Sequence, residues 1–180
     1  MAATKIVSGR DCTDCTLCCT IMGIGALKKP RNSDCPHCAL QKGCTIYDDR
    51  PDECVLFYCA WLFTGFLGPH WRPAESGMML TFDEASRRME VHVDPARPGV
   101  WRTEPFHGEL RRWASASAPA HGQVIVWEGE DLIAVLPTHD KFLGPMRQDQ
   151  LLVNYERDGE DGAVFYDILI MDAGDPRLTR

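Results

Sequence analysis

Hydrophobic and polar positions follow two regimes along this chain. From about residue 78 onward, short apolar runs alternate with turn-forming residues. Met78-Met-Leu-Thr-Phe82 and Arg88-Met-Glu-Val-His-Val93 flank Asp83-Glu-Ala-Ser-Arg and predict two strands of a hairpin. Residues 105–115 predict a helix, with Pro105 early and Leu110, Trp113 and Ala114 at helical spacing. Gln123-Val-Ile-Val-Trp127 turns through Glu128-Gly-Glu-Asp131 into Leu132-Ile-Ala-Val-Leu136, a second hairpin. Two further strands are expected over 150–156 and 164–171, joined by an acidic turn at 157–162.

Before about residue 70 the apolar segments are too short for a conventional core, and metal crosslinks must supply the organisation. The expected fold class is α+β. A small metal-stabilised cysteine-rich lobe (1–70) packs on a mainly antiparallel sheet with one or two helices (71–180), the two forming one unit.

Composition narrows the class. The chain has 180 residues, 44% hydrophobic and 25% charged, which excludes a disordered or fibrous protein. No apolar run approaches the roughly 18 residues of a membrane helix. Residues 1–11 lack the apolar core of a signal peptide. A soluble, cytoplasmic protein with no membrane partner is expected.

Charge is uneven. Residues 1–70 carry seven basic and seven acidic side chains, so residues 71–180 carry the whole net charge of −7. Phosphate backbones are bound by Lys and Arg, which makes nucleic acid an unfavoured partner. The acidic C-terminal region is instead a candidate surface for a protein partner. The one basic cluster, Lys28-Lys29-Pro30-Arg31, is placed to offset nearby thiolates.

All nine cysteines (Cys12, Cys15, Cys18, Cys19, Cys35, Cys38, Cys44, Cys54 and Cys59) fall within 48 consecutive residues. An odd count, an adjacent pair and no secretion signal argue against a disulfide framework and for metal ligation. In Cys12-x2-Cys15-x2-Cys18-Cys19, each Cys-x-x-Cys step is a tight turn that brings two sulfurs toward one ion. Cys18 and Cys19 cannot easily serve one ion with the same geometry, which points to two centres or one polynuclear centre. Cys15-x2-Cys18 and Cys35-Pro-His-Cys38 have the spacing of a four-thiolate zinc ribbon, and four of the remaining five cysteines suffice for a second site. Pro51, Asp52 and Glu53 suit the first turn of a helix. On a regular helix Cys54 and Cys59 lie about 140° apart, so they face different centres or the helix breaks between them. The competing cofactor is a [4Fe-4S] cluster, because Cys-x2-Cys-x2-Cys is also how bacterial ferredoxins hold three corners of one. Zinc is slightly favoured.

The ordered set Cys-x2-Cys-x2-Cys-Cys, Cys35-Pro-His, Gly43-Cys-Thr-Ile-Tyr47, Arg50-Pro51-x2-Cys54 and Cys59-x-Trp61 resembles the YkgJ-type cysteine-cluster family over residues 12–61. That family is described as a zinc- or iron-chelating domain. The resemblance implies metal binding through Cys12, Cys15, Cys18, Cys19, Cys35, Cys44, Cys54 and Cys59, with Cys38 as an added thiol. It implies no settled reaction.

Other residues read as structural. His37 is expected to sit outside the ligand shell, and His70, His92, His107, His121 and His139 to be surface or satisfied core. Arg50 and Tyr47 are expected to brace the thiolates, and Trp61, Phe63, Phe66 and Trp71 to seal the metal lobe. Thr138-His139-Asp140 lacks an accompanying nucleophile motif, and Cys35-Pro-His-Cys38 lacks the βαβ setting of a redox dithiol. The sequence therefore nominates no catalytic residue. It describes a metal-binding cysteine-cluster protein with zinc as the first cofactor, and an iron–sulfur protein in electron transfer or in a modifying enzyme as the alternative.

Overall fold

The computed structural model describes residues 6–12, 14–39, 42–159 and 162–179. The first five residues of the N-terminal stretch, and Glu160 and Asp161 of the acidic turn, lie outside these. The chain divides into two compact units, residues 1–81 with 91–101 and residues 82–90 with 102–180. The class is α+β.

The N-terminal unit is built from elements too short to persist alone, since isolated helices of fewer than about 12 residues are marginal in water. Helix α1 (Leu17–Ile21) has no side-chain cap and ends where Met22 turns extended. Its Leu17 and Ile21, four apart on one face, are buried with Met79, and Cys15, Cys18, Phe57 and Cys59 pack against that cluster. Strands β1 (Cys38–Ala39) and β2 (Gly43–Cys44) form a two-residue antiparallel ladder. Helix α2 (Asp52–Val55) starts after Pro51 with two acidic residues in its first turn. There the Glu53 carboxylate accepts the backbone N–H groups of Gly25 and Ala26, each at 3.2 Å. Helix α3 (Ala60–Phe63) buries Ala60, Trp61 and Leu62. Helix α4 (Pro73–Ser76) stops at Gly77, whose φ of +69° is left-handed backbone that glycine adopts without strain.

The two hairpins predicted from alternation are present. Strand β3 (Met78–Asp83) is followed by β4 (Arg88–Val93), and the Asp94 N–H bonds to the Gly77 carbonyl where the hairpin begins and ends. Helix α5 (Phe106–Ser117) buries Leu110 and Ala114, one turn apart. It leads to β5 (Gln123–Glu128), which pairs antiparallel with β6 (Asp131–Val135). Strand β7 (Asp140–Pro145) adds antiparallel to β6, with a shift of register at Leu132/Ile133. These five strands make one sheet in the order β3-β4-β5-β6-β7. The Gln123 N–H bonds to the Arg87 carbonyl, so β4 and β5 begin at the same end and run parallel, with α5 as their crossover. The sheet is therefore mixed. Strands β8 (Gln150–Asp158) and β9 (Val164–Asp172) form a separate nine-residue antiparallel ribbon. Its Leu152 and Ile168 join Ile125, Leu132, Ala134 and Leu136 in the core of the C-terminal unit.

Asp140 is a structural anchor of that unit. It accepts from Arg111 at 2.7 Å and His107 at 3.0 Å, both on α5, which ties the helix to β7. His139 bonds instead to its neighbour Thr138, at 3.1 Å. Among the described residues, no helix is long and apolar enough to cross a membrane.

Candidate metal centre

Eight of the nine cysteines line one cavity of about 490 Å³ in the N-terminal unit. They are Cys12, Cys15, Cys18, Cys19, Cys35, Cys44, Cys54 and Cys59. Cys38 does not line it. Every cysteine is a free thiol; Cys12 is exposed and the others are partly buried.

Local backbone explains how residues so far apart in sequence reach one space. The Cys15 N–H bonds to the Cys12 carbonyl at 3.2 Å and the Cys38 N–H to the Cys35 carbonyl at 3.0 Å, so both Cys-x-x-Cys steps are turns. Cys18 and Cys19 stand on α1 and Cys44 on β2. Cys54 closes a turn onto the Pro51 carbonyl at 2.9 Å. The helix breaks after Val55, and Cys59 occupies the extended residue before α3. That break lets Cys54 and Cys59 both reach the cavity, which one regular helix would forbid.

The remaining wall is largely apolar, with Met22, Ile24, Leu27, Ile46, Phe57 and Met79. Four cationic residues also line it: Lys29, Lys42, Arg50 and Arg72. Lys29 is 5% exposed and donates to the carbonyls of Thr20 (3.1 Å), Met22 and Pro30 (3.2 Å). Burial lowers its pKa, and the charges of Cys35 and Cys19 oppose that shift. Arg50 stacks on the Tyr47 ring at 3.5 Å while donating to the Tyr47 carbonyl. Arg72 pairs with Asp14 and Glu75. The sequence reading assigned the basic cluster to charge compensation and missed that Lys29 would be buried. It passed over Arg72 altogether.

Burial is the leading cause that raises Cys12, Cys15, Cys38, Cys54 and Cys59. It pushes Cys59 up to about 11, with the charges of Cys12 and Cys15 adding to it and the N–H groups of Leu62 and Trp61 opposing. It raises Cys15 against the N–H of Leu17, the charge of Arg72 and the N–H of Ala74. Cys38 is pushed up to about 11 by burial and by Cys19. Cys19 is raised first by its hydrogen bond with Cys18 and then by burial. Protons therefore stay on these sulfurs at neutral pH until a bound cation displaces them.

No family model, curated protein or solved structure matches the chain.

The donor chemistry can be tested against the candidate cofactors. A lining of eight thiols, with Asp11 as its one carboxylate, suits zinc, copper(I) or iron–sulfur clusters rather than magnesium or calcium. Among the described residues, no three Cys, His, Asp or Glu side chains form a ready-made group for a single ion. The cavity of about 490 Å³ has room for a polynuclear cluster. His37 lines the cavity as well, while its carbonyl accepts the N–H of Thr45 at 2.8 Å. Of the aromatics expected to seal this region, Trp61 and Trp71 are buried, but Phe66 is 64% exposed.

Proposed function

We propose that the N-terminal unit is a thiolate-ligated metal-binding module whose cofactor is an iron–sulfur centre. The observation that carries this reading is a cavity of about 490 Å³ walled by eight thiols and apolar side chains. Its size accommodates a polynuclear cluster. Its apolar wall is the low-dielectric setting that, with hydrogen bonds to sulfur, tunes such clusters. Cys12, Cys15, Cys18, Cys19, Cys35, Cys44, Cys54 and Cys59 would hold the metal, and the cofactor would supply one-electron chemistry. Eight thiols are enough to saturate two four-iron clusters, leaving no iron open for substrate. This supports electron transfer over catalysis at the metal. The resemblance to the YkgJ-type family supports metal binding, by zinc or iron alike.

Zinc is the second reading. The same eight thiols complete two four-thiolate structural sites, and closed four-ligand sites are how zinc stabilises small folds. In that case the module is a folded scaffold, and the acidic region that follows is the surface offered to a protein partner.

The deciding measurement is metal and acid-labile sulfide content, with an absorption spectrum, on full-length protein purified without oxygen. Iron and sulfide in equal amounts, with broad absorbance near 400 nm, are expected. A colourless protein holding two zinc ions and no sulfide would establish the second reading. Protein holding neither metal would overturn both.

A further inference from the structure

We infer that the outer surface of residues 47–58 is the docking site for a redox partner protein whose own contact surface is basic with an apolar centre. The inference rests on the reading of the cavity as an iron–sulfur site and names the kind of partner that site serves.

This segment is at once a wall of the cavity and a stretch of protein surface. Cys54, Phe57 and Cys59 line the cavity, and Phe57 and Cys59 also pack on the buried Leu17, Ile21 and Met79 cluster. The residues between them are turned out: Leu56 is 76% exposed, and Val55 and Tyr58 are exposed as well. The backbone explains the alternation. Helix α2 ends after Val55, with the Leu56 N–H closing on the Asp52 carbonyl at 2.8 Å, and Cys59 is extended at φ −69° and ψ 148°. Chain that leaves a helix in extended form sends successive side chains to opposite sides. Tyr47 spans the same wall. It lines the cavity yet is 60% exposed, with the Arg50 guanidinium 3.5 Å from the centre of its ring. Large apolar side chains left exposed together, tyrosines among them, mark a surface that a partner covers.

Charge specifies the partner. Residues 1–70 sum to zero, but the signs are sorted in space. Lys29 and Arg50 line the cavity, whereas Asp48, Asp49 and Asp52 are exposed and carry no ion pair among the described residues. Residues 47–58 hold four carboxylates against one guanidinium. An apolar centre with an acidic rim is complementary to a patch of apolar residues ringed by lysines or arginines, and such charge speeds encounter and orients it. Electron-transfer contacts are small, below about 1,200 Å² in total, so a short segment suffices. One electron passes from the reduced centre to an oxidised acceptor in the partner; no bond forms or breaks and no proton moves.

The test uses full-length protein purified without oxygen, with ferricytochrome c as the probe, because lysines surround its exposed apolar haem edge. Hydrogen exchange of the oxidised protein, with and without the probe, locates the contact. Added protection over residues 47–58 is expected, and its absence there would overturn the site. Calorimetric affinity reads the chemistry of the contact. It should fall about tenfold between about 20 and about 200 mM salt. At low salt it should fall about tenfold in Leu56→Ser/Tyr58→Ser and in Asp48→Lys/Asp49→Lys. Glu84→Lys/Glu130→Lys makes the same change of net charge at exposed positions elsewhere and should stay within about twofold of the wild type. After reduction with dithionite, electron transfer to the cytochrome should slow in the first two double variants at matched iron content, while transfer to ferricyanide, which needs no protein contact, is unchanged. Iron–sulfur protein whose affinity ignores both salt and these four substitutions would overturn the docking site and leave the cluster reading intact. Colourless, zinc-loaded protein would overturn that reading and the redox partner with it.

Discussion

Cys38 and Cys44 stand directly opposite each other in the β1–β2 ladder, yet only Cys44 lines the cavity. Sequence spacing alone makes the two equivalent, since either could complete a four-thiolate set with Cys35. The structure predicts that they are not. Cys38→Ser should keep the full metal content of the wild type. Cys44→Ser should lose metal and destabilise the N-terminal unit, because metal-binding free energy is folding free energy in so small a module. Metal analysis with thermal melts of both variants checks this, and equal losses would refute it.

Lys29 is the buried cation of the site. Its ammonium is shared among the carbonyls of Thr20 in the last turn of α1 and of Met22 and Pro30 in the loop that follows. Lys29→Met keeps the apolar stem and removes the donor, leaving three buried acceptors without it. A hydrogen bond involving a charged group contributes about 1.5–3 kcal/mol, so a loss of about 2–4 kcal/mol is expected. If the centre is an iron–sulfur cluster, removing a positive charge beside it should also make its reduction potential more negative. Denaturant unfolding followed at Trp61 and Trp71 measures the first effect and a redox titration the second. A variant as stable as the wild type would show that the three carbonyls find other partners.

How much of this was legible beforehand follows from the range of the signal. The β3–β4 and β5–β6 hairpins, α5 and the β8–β9 ribbon were readable because each repeats its period over five or more residues. Strand β7 was not, because Asp140-Lys-Phe-Leu-Gly-Pro145 carries two strand-weakening residues and is tolerated at the edge of the sheet. The parallel junction of β4 and β5 was hidden for another reason: a crossover pairing leaves no local pattern. Helices of four or five residues, such as α1 to α4, are shorter than the window in which periodicity can be seen. At the site, spacing nominated the thiols but not the side each would face. The burial of Lys29 depends on carbonyls that only the fold brings together.

Arg10 fastens the chain before the first cysteine to the segment after the last. Its guanidinium donates to the carbonyls of Trp61, Thr64 (3.1 Å) and Leu67 (2.6 Å) and lies 4.7 Å from the centre of the Trp61 ring. Trp61 and Thr64 lie at the C-terminal end of α3, where a cation is favoured, and Leu67 lies in the turn that follows. Lysine cannot reproduce a planar fork that reaches three acceptors. Arg10→Lys should therefore cost about 1–2 kcal/mol and Arg10→Ala about 2–3 kcal/mol, lowering the melting temperature by several degrees in each case. Trp61 also lines the cavity, so its fluorescence should change in both variants. Unaltered melting and emission would remove Arg10 from the forces that close the unit.

His92 gives the N-terminal unit a pH dependence of its own. The ring is buried, with Nε2 3.1 Å from the Thr81 hydroxyl and Nδ1 3.4 Å from the Arg31 guanidinium. Burial, and after it the charge of Arg31, pushes its pKa from 6.5 down to about 3. A group depressed on folding takes up its proton more readily in the unfolded chain. The stability that its neutral form contributes is therefore complete above about pH 6.5 and is lost as the pH falls from there toward 3. The slope approaches about 1.4 kcal/mol per pH unit for one proton. Acid also protonates thiolates and releases metal, so the informative quantity is the difference between wild type and His92→Gln at matched metal content. Between pH 7 and pH 5 the wild type should lose stability more steeply than the variant. Parallel curves would show that His92 is protonated in the folded protein, with its burial relieved by a partner the neutral ring does not need.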